Sequence, residues 1–336
     1  MTRSKLRRVY TRIRSDIIPG ILNGIRLGNF QYKLWQPTGR TRAAQDDRSM
    51  VVPFDYAVEK RSGKPTIAII CHLFHTDLSD WLLRLLRDSE LKADLYISTD
   101  TETKAEAIRR LFSTWSRGKT EVRIVENRGR DIAPKLASFA DVYDRHDLVL
   151  FLHSKKSAHF AFGDAWRDHL ARCLLGSPAI VDSILEIFDR CPRVGMIVPQ
   201  HLRELRDSKL IAWGGNFRQA RRLGWRMEID LSPTGYLDMP SGSMFWARPG
   251  ALRPLIGLGL EFGDFPPEPC EVDGTIAHCL ERLFLFSCEK AGYHWVKVSD
   301  RRDGDPTAIE IHEASDISSF LARYDFRLLG PQGGHG

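Results

Sequence analysis

Short apolar runs alternate with amphipathic stretches through the middle of this chain, and their order predicts an α/β domain. Residues 66–72 read as a buried strand, and Thr76 and Asp77 supply the N-cap of a following helix that carries Trp81, Leu82, Leu85 and Leu86. Residues 94–98 predict the next strand, which closes in Thr99-Asp100-Thr101-Glu102 before a helix with Ala105, Ala107, Ile108 and Phe112. Residues 122–125 and 148–152 predict two more strands, with a helix from Ile132 to about Tyr143 between them. Strand and helix in alternation imply a Rossmann-like, mostly parallel sheet flanked by helices and joined by right-handed crossovers.

Further on, residues 164–189 are helical with a break at Gly176-Ser177-Pro178, and residues 194–198 form a strand. Residues 201–240, rich in Arg, Gly and aromatic side chains, read as loops over a site. Residues 244–247 are strand-like, 248–269 form a long Pro/Gly-rich connection, and 274–290 form one amphipathic helix stopped by Gly292. Before all this, residues 36–65 are polar and aperiodic and read as a linker, so the folded domain is expected over 66–330, with 331–336 a disordered tail.

Residues 1–35 are a basic amphipathic segment. Leu6, Val9, Tyr10, Ile13, Ile17, Ile21 and Ile25 recur at helical spacing, and Arg7, Arg8, Arg12 and Arg14 lie mostly between them. Such a helix, interrupted at Pro19, suits the interface of an anionic membrane or a face of its own domain.

Charge enters the picture here. The net charge of the 336 residues is +6, but residues 1–50 hold eleven Lys/Arg against three Asp/Glu, a surplus of eight, so everything after Met50 carries −2. A slightly acidic core without an RNA- or DNA-binding motif excludes nucleic acid as a partner. No apolar run reaches about 18 residues and no secretory signal opens the chain, which leads to the expectation of a cytoplasmic protein, peripheral on the inner face of the membrane if the basic helix binds there. The six cysteines include no C-x-x-C, so neither a zinc site nor a disulfide framework is expected.

Two constellations carry chemistry. The strand at 122–125 empties into Asn127-Arg128-Gly129-Arg130-Asp131, and the strand at 148–152 empties into His153-Ser154-Lys155-Lys156-Ser157. Ligands of open α/β sheets lie outside the carboxyl ends of strands, so neighbouring strands of this kind aim Arg128, Arg130, Lys155 and Lys156 at one crevice suited to a diphosphate. Gly129 permits a positive φ there, and Asp131 either caps the next helix or joins the site. The second constellation is acidic: from Pro254 through Glu281 there is no Lys or Arg, yet Glu261, Asp264, Glu268, Glu271 and Asp273 occur. Asp273, at the start of the 274–290 helix, is either its N-cap or a general base for a sugar hydroxyl.

Residues from about 66 to 300 resemble the rhamnan synthesis protein F family. The marks are NRGRDIAP (127–134), LHSKKS (152–157), Trp166/Arg167, WGGN (213–216), SGSMFWARPGAL (241–252) and EVDGTIAHCLERLF (271–284). That family is similar to glycosyltransferases of the GT-A fold and is associated with adding rhamnose or other sugars to cell-surface polysaccharides. A weaker resemblance links the chain to family-2 glycosyltransferases: Asn127/Gly129 match an N-x-G turn, Gly242 to Arg248 match G-x-x-x-x-x-R, and Glu271/Asp273 fall where an E-D pair holds the base. Here His153-Ser154-Lys155 stands where the metal-binding D-x-D belongs, and protonated lysine has no lone pair to give a cation.

The resemblance implies a GT-A-like transferase that moves a sugar from a nucleoside diphosphate donor to a polysaccharide or lipid-linked glycan, inverting and without metal or other cofactor. Asn127, Arg128, Gly129, Arg130, Asp131, His153, Lys155 and Lys156 would bind the diphosphate, Asp100 the nucleoside, and Trp213, Asn216, Trp246 and Arg248 the acceptor. Asp273 would be the base, with Glu271 as runner-up. Two rival classes stay open: a polyol-phosphate or other phosphotransferase of cell-envelope polymer synthesis, and a non-catalytic domain that binds anionic glycans.

Overall fold

The computed structural model describes residues 39–329 apart from 44, 60–62, 64, 155–161, 208–210, 272 and 325. The basic segment 1–35, Lys155, Lys156 and the tail 331–336 lie outside the described residues. Among the described residues, nine strands form one sheet: β1 (Ser49–Val52), β2 (Ile67–His72), β3 (Asp94–Thr99), β4 (Thr120–Ile124), β5 (Leu148–His153), β6 (Val194–Pro199), β7 (Phe245–Ala247), β8 (His294–Asp300) and β9 (Ala308–Ile309). Their order is β4-β3-β2-β5-β7-β6-β8-β1-β9. β7 runs antiparallel to both neighbours, and every other pair is parallel. β2 and β6 are buried at every position, as continuous apolar runs must be where helices cover both faces.

The helices are α1 (Ser79–Asp88), α2 (Glu102–Phe112), α3 (Gly163–Leu175), α4 (Pro178–Arg190), α5 (Arg203–Asp207), α6 (Phe217–Arg226), α7 (Pro249–Ile256), α8 (Ile276–Glu281), α9 (Phe284–Lys290) and α10 (Ala314–Arg323). Local chemistry explains several boundaries. Thr101 accepts from the Lys104 amide to start α2, and Ser177 caps α4 with Pro178 in the first turn. α1 differs from expectation: residues Thr76–Leu78 make a 3-10 turn, and the N-cap position falls on Leu78.

Other expectations are corrected. The stretch from Ile132 to Tyr143 is no regular helix but a π-helical turn, Pro134–Ser138, followed by a 3-10 turn at Tyr143–Arg145. Residues 201–240 hold α6, whose many arginines hide an inward face of Phe217, Ala220 and Leu223. The connection 248–269 holds α7, since Pro249 occupies the first turn, where a missing N–H costs nothing. The single helix expected over 274–290 divides into α8 and α9. The expected linker contributes β1, a four-residue run too short to stand out among charges, which pairs with β8 and β9.

The strand order positions the crevice. β2, β3 and β4 step outward in one direction, and β5 then begins on the other side of β2, so the order reverses between β2 and β5. The last residues of these two strands, His72 and His153, are register partners. β4 and β5 are therefore not adjacent, contrary to expectation; β3 and β2 separate them. The turn after β4 must cross two strand ends to reach His153.

In the other half of the sheet, Lys297 of β8 is buried and meets Asp47 at 2.6 Å and Asp238 at 2.7 Å. Asp238 also accepts from His201 Nε2 at 2.8 Å. Removing the ammonium strands two buried carboxylates. Lys297→Ala is expected to lower unfolding free energy by about 3–5 kcal/mol, read from urea midpoints; a loss below about 1 kcal/mol would mean that water reaches the pair.

Candidate active site

Beyond β4 the chain turns sharply, and the turn explains its own sequence. Gly129 has φ +63°, and a Cβ there would lie 2.4 Å from Phe265 Cδ1 and 2.7 Å from Ala133 Cβ, so no other residue fits. Arg130 also adopts a positive φ, 56°, a strained state for a side-chain-bearing residue. Two consecutive left-handed residues swing Arg130 toward residues 268–278. Its Nη1 lies 2.9 Å from His278 Nε2, its Nη2 donates to the Glu271 carbonyl at 3.0 Å, and Glu268 stands 3.8 Å from Nε. The side chain stays 40% exposed.

Asn127 and Arg128 face the same acidic loop but are spent on holding it. Arg128 donates to the Phe265 carbonyl at 2.7 Å and pairs with Glu126 at 2.9 Å, while the Asn127 carbonyl accepts from the Glu268 amide. The cationic turn and the acidic loop, read from the sequence as separate constellations, are thus one docked unit.

Asp131 is buried against Lys135, whose ammonium also donates to the Ser243 carbonyl at 2.7 Å. His153 Nε2 donates to the Gly242 carbonyl at 2.7 Å and lies 3.9 Å from Asp131. Gly242 and Ser243 both have positive φ, 75° and 54°. These contacts bring 127–135, the end of β5 and the segment before β7 together. Lys135 escaped the sequence reading because it sits between apolar residues, Ala133 and Leu136, where a lysine signals a buried partner. His72, beside His153, hydrogen-bonds Ser98 Oγ at 3.0 Å, and burial pushes its pKa down to about 4, so this ring is neutral.

Two residues beyond the Glu271 carbonyl that Arg130 meets is Asp273. Its Oδ1 accepts from Asn216 Nδ2 at 2.8 Å, with Arg282 Nη2 3.6 Å away, and the carboxylate is 49% exposed. Asn216 Oδ1 in turn accepts from the Gly274 amide at 3.1 Å. Asp273 is not the N-cap of the helix. Thr275 is, through a capping box in which His278 answers. Glu271 is exposed, and its carbonyl rather than its carboxylate meets Arg130.

The remaining candidates divide. Asp100, at the end of β3, pairs with Lys104 at 2.6 Å, and that ammonium lies 4.0 Å from the centroid of the half-buried Phe74 ring. Trp213 is core, packed on Phe217 and Phe286, and Trp246 is core, donating to the Leu174 carbonyl at 3.2 Å. Neither lines a groove. Arg248 follows β7, and because β7 runs against its neighbours Arg248 lies at the opposite edge of the sheet, donating to the carbonyls of Val194 and Phe188. Of the four acceptor candidates only Asn216 belongs to the crevice, as the clamp on Asp273.

A profile of the rhamnan synthesis protein F family matches residues 11–293. The chain belongs to that family. The motifs of the rhamnan synthesis protein F family meet physically here: NRGRDIAP and SGSMFWARPGAL join at Lys135, and WGGN clamps EVDG through Asn216. The family's description links it to rhamnan synthesis. It is also 37% identical over 232 residues to the uncharacterized protein WxcX of Xanthomonas campestris pv. campestris strain B100, and 36% identical to WxcX of a second strain of that pathovar. Each match covers 68% of this chain and 32% of the relative.

Among the described residues, one group brings three metal-type ligand atoms together: His169, Cys173 and Asp303. His169 gives Nδ1 to Asp303 at 3.0 Å and Nε2 to the Gln200 carbonyl at 2.7 Å. Burial opposes a charge on this ring, yet Cys173, Asp303 and the carbonyl outweigh it and push the pKa up to about 11. An imidazolium, with Arg172 2.5 Å from the same carboxylate, already supplies the positive charge there. No helix among the described residues is long and apolar enough to cross a membrane.

Gly129→Ala is expected to cost about 2–4 kcal/mol, from left-handed strain plus the clash with Phe265. Gly263→Ala, in the 3-10 turn just before Phe265 but with nothing within 4 Å of the added Cβ, serves as the control and is expected to be near neutral in the same thermal melts.

Proposed function

We propose that this chain is a GT-A-like glycosyltransferase that moves a sugar, with rhamnose the leading candidate, from a nucleoside diphosphate to a polysaccharide or lipid-linked glycan. The observation that carries this reading is that a half-exposed guanidinium, Arg130, docks on the loop whose half-exposed carboxylate, Asp273, lies two residues beyond the Glu271 carbonyl that the guanidinium meets. Family membership in rhamnan synthesis supports it.

In the proposed reaction Asp273 takes the proton of the acceptor hydroxyl as that oxygen attacks the anomeric carbon. The bond from that carbon to the diphosphate breaks, its electron pair leaves with the phosphate oxygen, and the configuration inverts. Arg130 offsets the charge that develops there, together with Lys155 and Lys156, which the sequence supplies directly after His153 and Ser154. Asn216 holds one oxygen of Asp273 and leaves the other for the hydroxyl. Asp100 and the nearby Phe74 ring stand where the nucleoside would lie.

Asp273→Asn is expected to leave donor binding and melting temperature nearly unchanged while lowering turnover about 10²–10⁴-fold. Turnover near wild type would remove Asp273 from the mechanism. Because a cationic loop replaces D-x-D, sugar transfer is also expected to persist in excess EDTA. Activity that vanishes on chelation and returns with Mn²⁺ or Mg²⁺ would overturn the metal-independent reading and direct attention to Glu268, Glu271 and Asp273 as ligands.

A further inference from the structure

His278 is buried on α8 with both ring nitrogens engaged: Nε2 lies 2.9 Å from Arg130 Nη1 and Nδ1 lies 2.8 Å from Thr275 Oγ1. A guanidinium only donates, so Nε2 must accept; the Thr275 amide also points at Nδ1, at 3.3 Å, but a neutral ring has one acceptor nitrogen, and the shorter Arg130 contact takes it, leaving the Nδ1 proton to the threonine hydroxyl. Among the partners of Arg130 are this imidazole, the Glu271 carbonyl and the Cys270 thiol, and the Glu268 carboxylate stands back at 3.8 Å.

We propose that His278 is a positioning residue that aims Arg130 at the donor diphosphate while leaving its charge uncancelled. This rests on the donor-binding reading above. A carboxylate in the same place would orient the guanidinium equally well but would neutralise the field that the leaving group needs. A neutral acceptor avoids that conflict. It also overcomes the cost of a side chain whose backbone is already strained at φ 56°.

The arrangement is sensitive to pH in a defined direction. The charges around the ring are Arg130 from the turn after β4, Glu268 from the loop docked on that turn, Asp273 before the helix, and Glu281 and Arg282 on the helix itself. Burial first, and Arg130 next, hold the imidazole below its ordinary pKa, so it is neutral near pH 7. As pH falls through that lowered value the ring gains a proton on Nε2, loses its one lone pair facing Arg130, and becomes a second cation beside it. Donor binding then weakens on the acid side. The buried ring does not replace Arg130 as a phosphate ligand.

The test titrates the full chain with inorganic pyrophosphate by calorimetry at several pH values between about 5 and 8, in wild type, His278→Leu and His278→Gln. The glutamine oxygen accepts from Arg130 but does not titrate, whereas leucine offers no acceptor. His278→Leu is expected to bind roughly 10- to 100-fold more weakly at neutral pH. His278→Gln is expected to restore affinity to within about threefold of wild type. The ratio of wild-type to glutamine affinity, in which the protonation of pyrophosphate cancels, should stay flat near neutrality and fall in acid. Glutamine binding as poorly as leucine, or wild type gaining on glutamine in acid, overturns the inference. Wild-type binding that all variants share equally overturns the inference alone, whereas no wild-type binding at any pH removes the donor reading and the inference with it.

Discussion

The Lys135 ammonium lies in a place nearly closed to water, where Asp131 and the Ser243 carbonyl meet it. Three chain segments far apart in sequence depend on that meeting. The turn after β4 is drawn across two strand ends, the segment before β7 is fixed in its left-handed conformation, and His153 is left to bond Gly242 beside them. Buried ions tolerate no loose partner, so loss of any one group would expose the others to an uncompensated charge. The π-helical turn at Pro134–Ser138 belongs to the same constraint, since Lys135 lies within it. Strained residues at Arg130 and Ser243 persist because this contact over-determines their surroundings.

Much of the fold was legible because its information is local. The apolar runs that became β2, β3, β5 and β6 are long enough to be read directly, and the Gly176-Ser177-Pro178 break falls where α3 gives way to α4. The elements that escaped depend on partners distant in sequence. β8 is interrupted by Lys297, whose acceptors come from residues 47 and 238. β1 is too short to compete with its charged surroundings until β8 and β9 flank it. α6 is so rich in arginine that its apolar face is visible only once the core it covers exists.

The candidate site divides along the same line. Gly129, Arg130 and Asp273 were legible as types in a pattern, and the turn that holds the first two docks on the loop that leads to the third. The clamps were not: Lys135, His278, Thr275 and Arg282 read as ordinary helix residues until their partners are known. Trp213, Trp246 and Arg248 illustrate the opposite error. Indole and guanidinium suit sugar recognition by type, but their places in the sheet make them packing groups. Residue type suggested chemistry, and strand direction decided whether it had access.

Strand direction has a wider consequence at β7. The parallel strands line the crevice with the residues after their carboxyl ends, whereas β7 lines it with the residues before its amino end. Variation is therefore partitioned unevenly around this short strand. Sequence added between β7 and α7, beside Arg248, would emerge at the far ends of the strands, clear of the crevice, and could grow into a new surface or tether without disturbing it. Sequence added before Met244 would part Ser243 from Lys135 and undo the meeting of three segments at once. A chain that aligns with only about a third of its longer relatives can thus accept elaboration on one flank of the same strand while the other flank admits almost none.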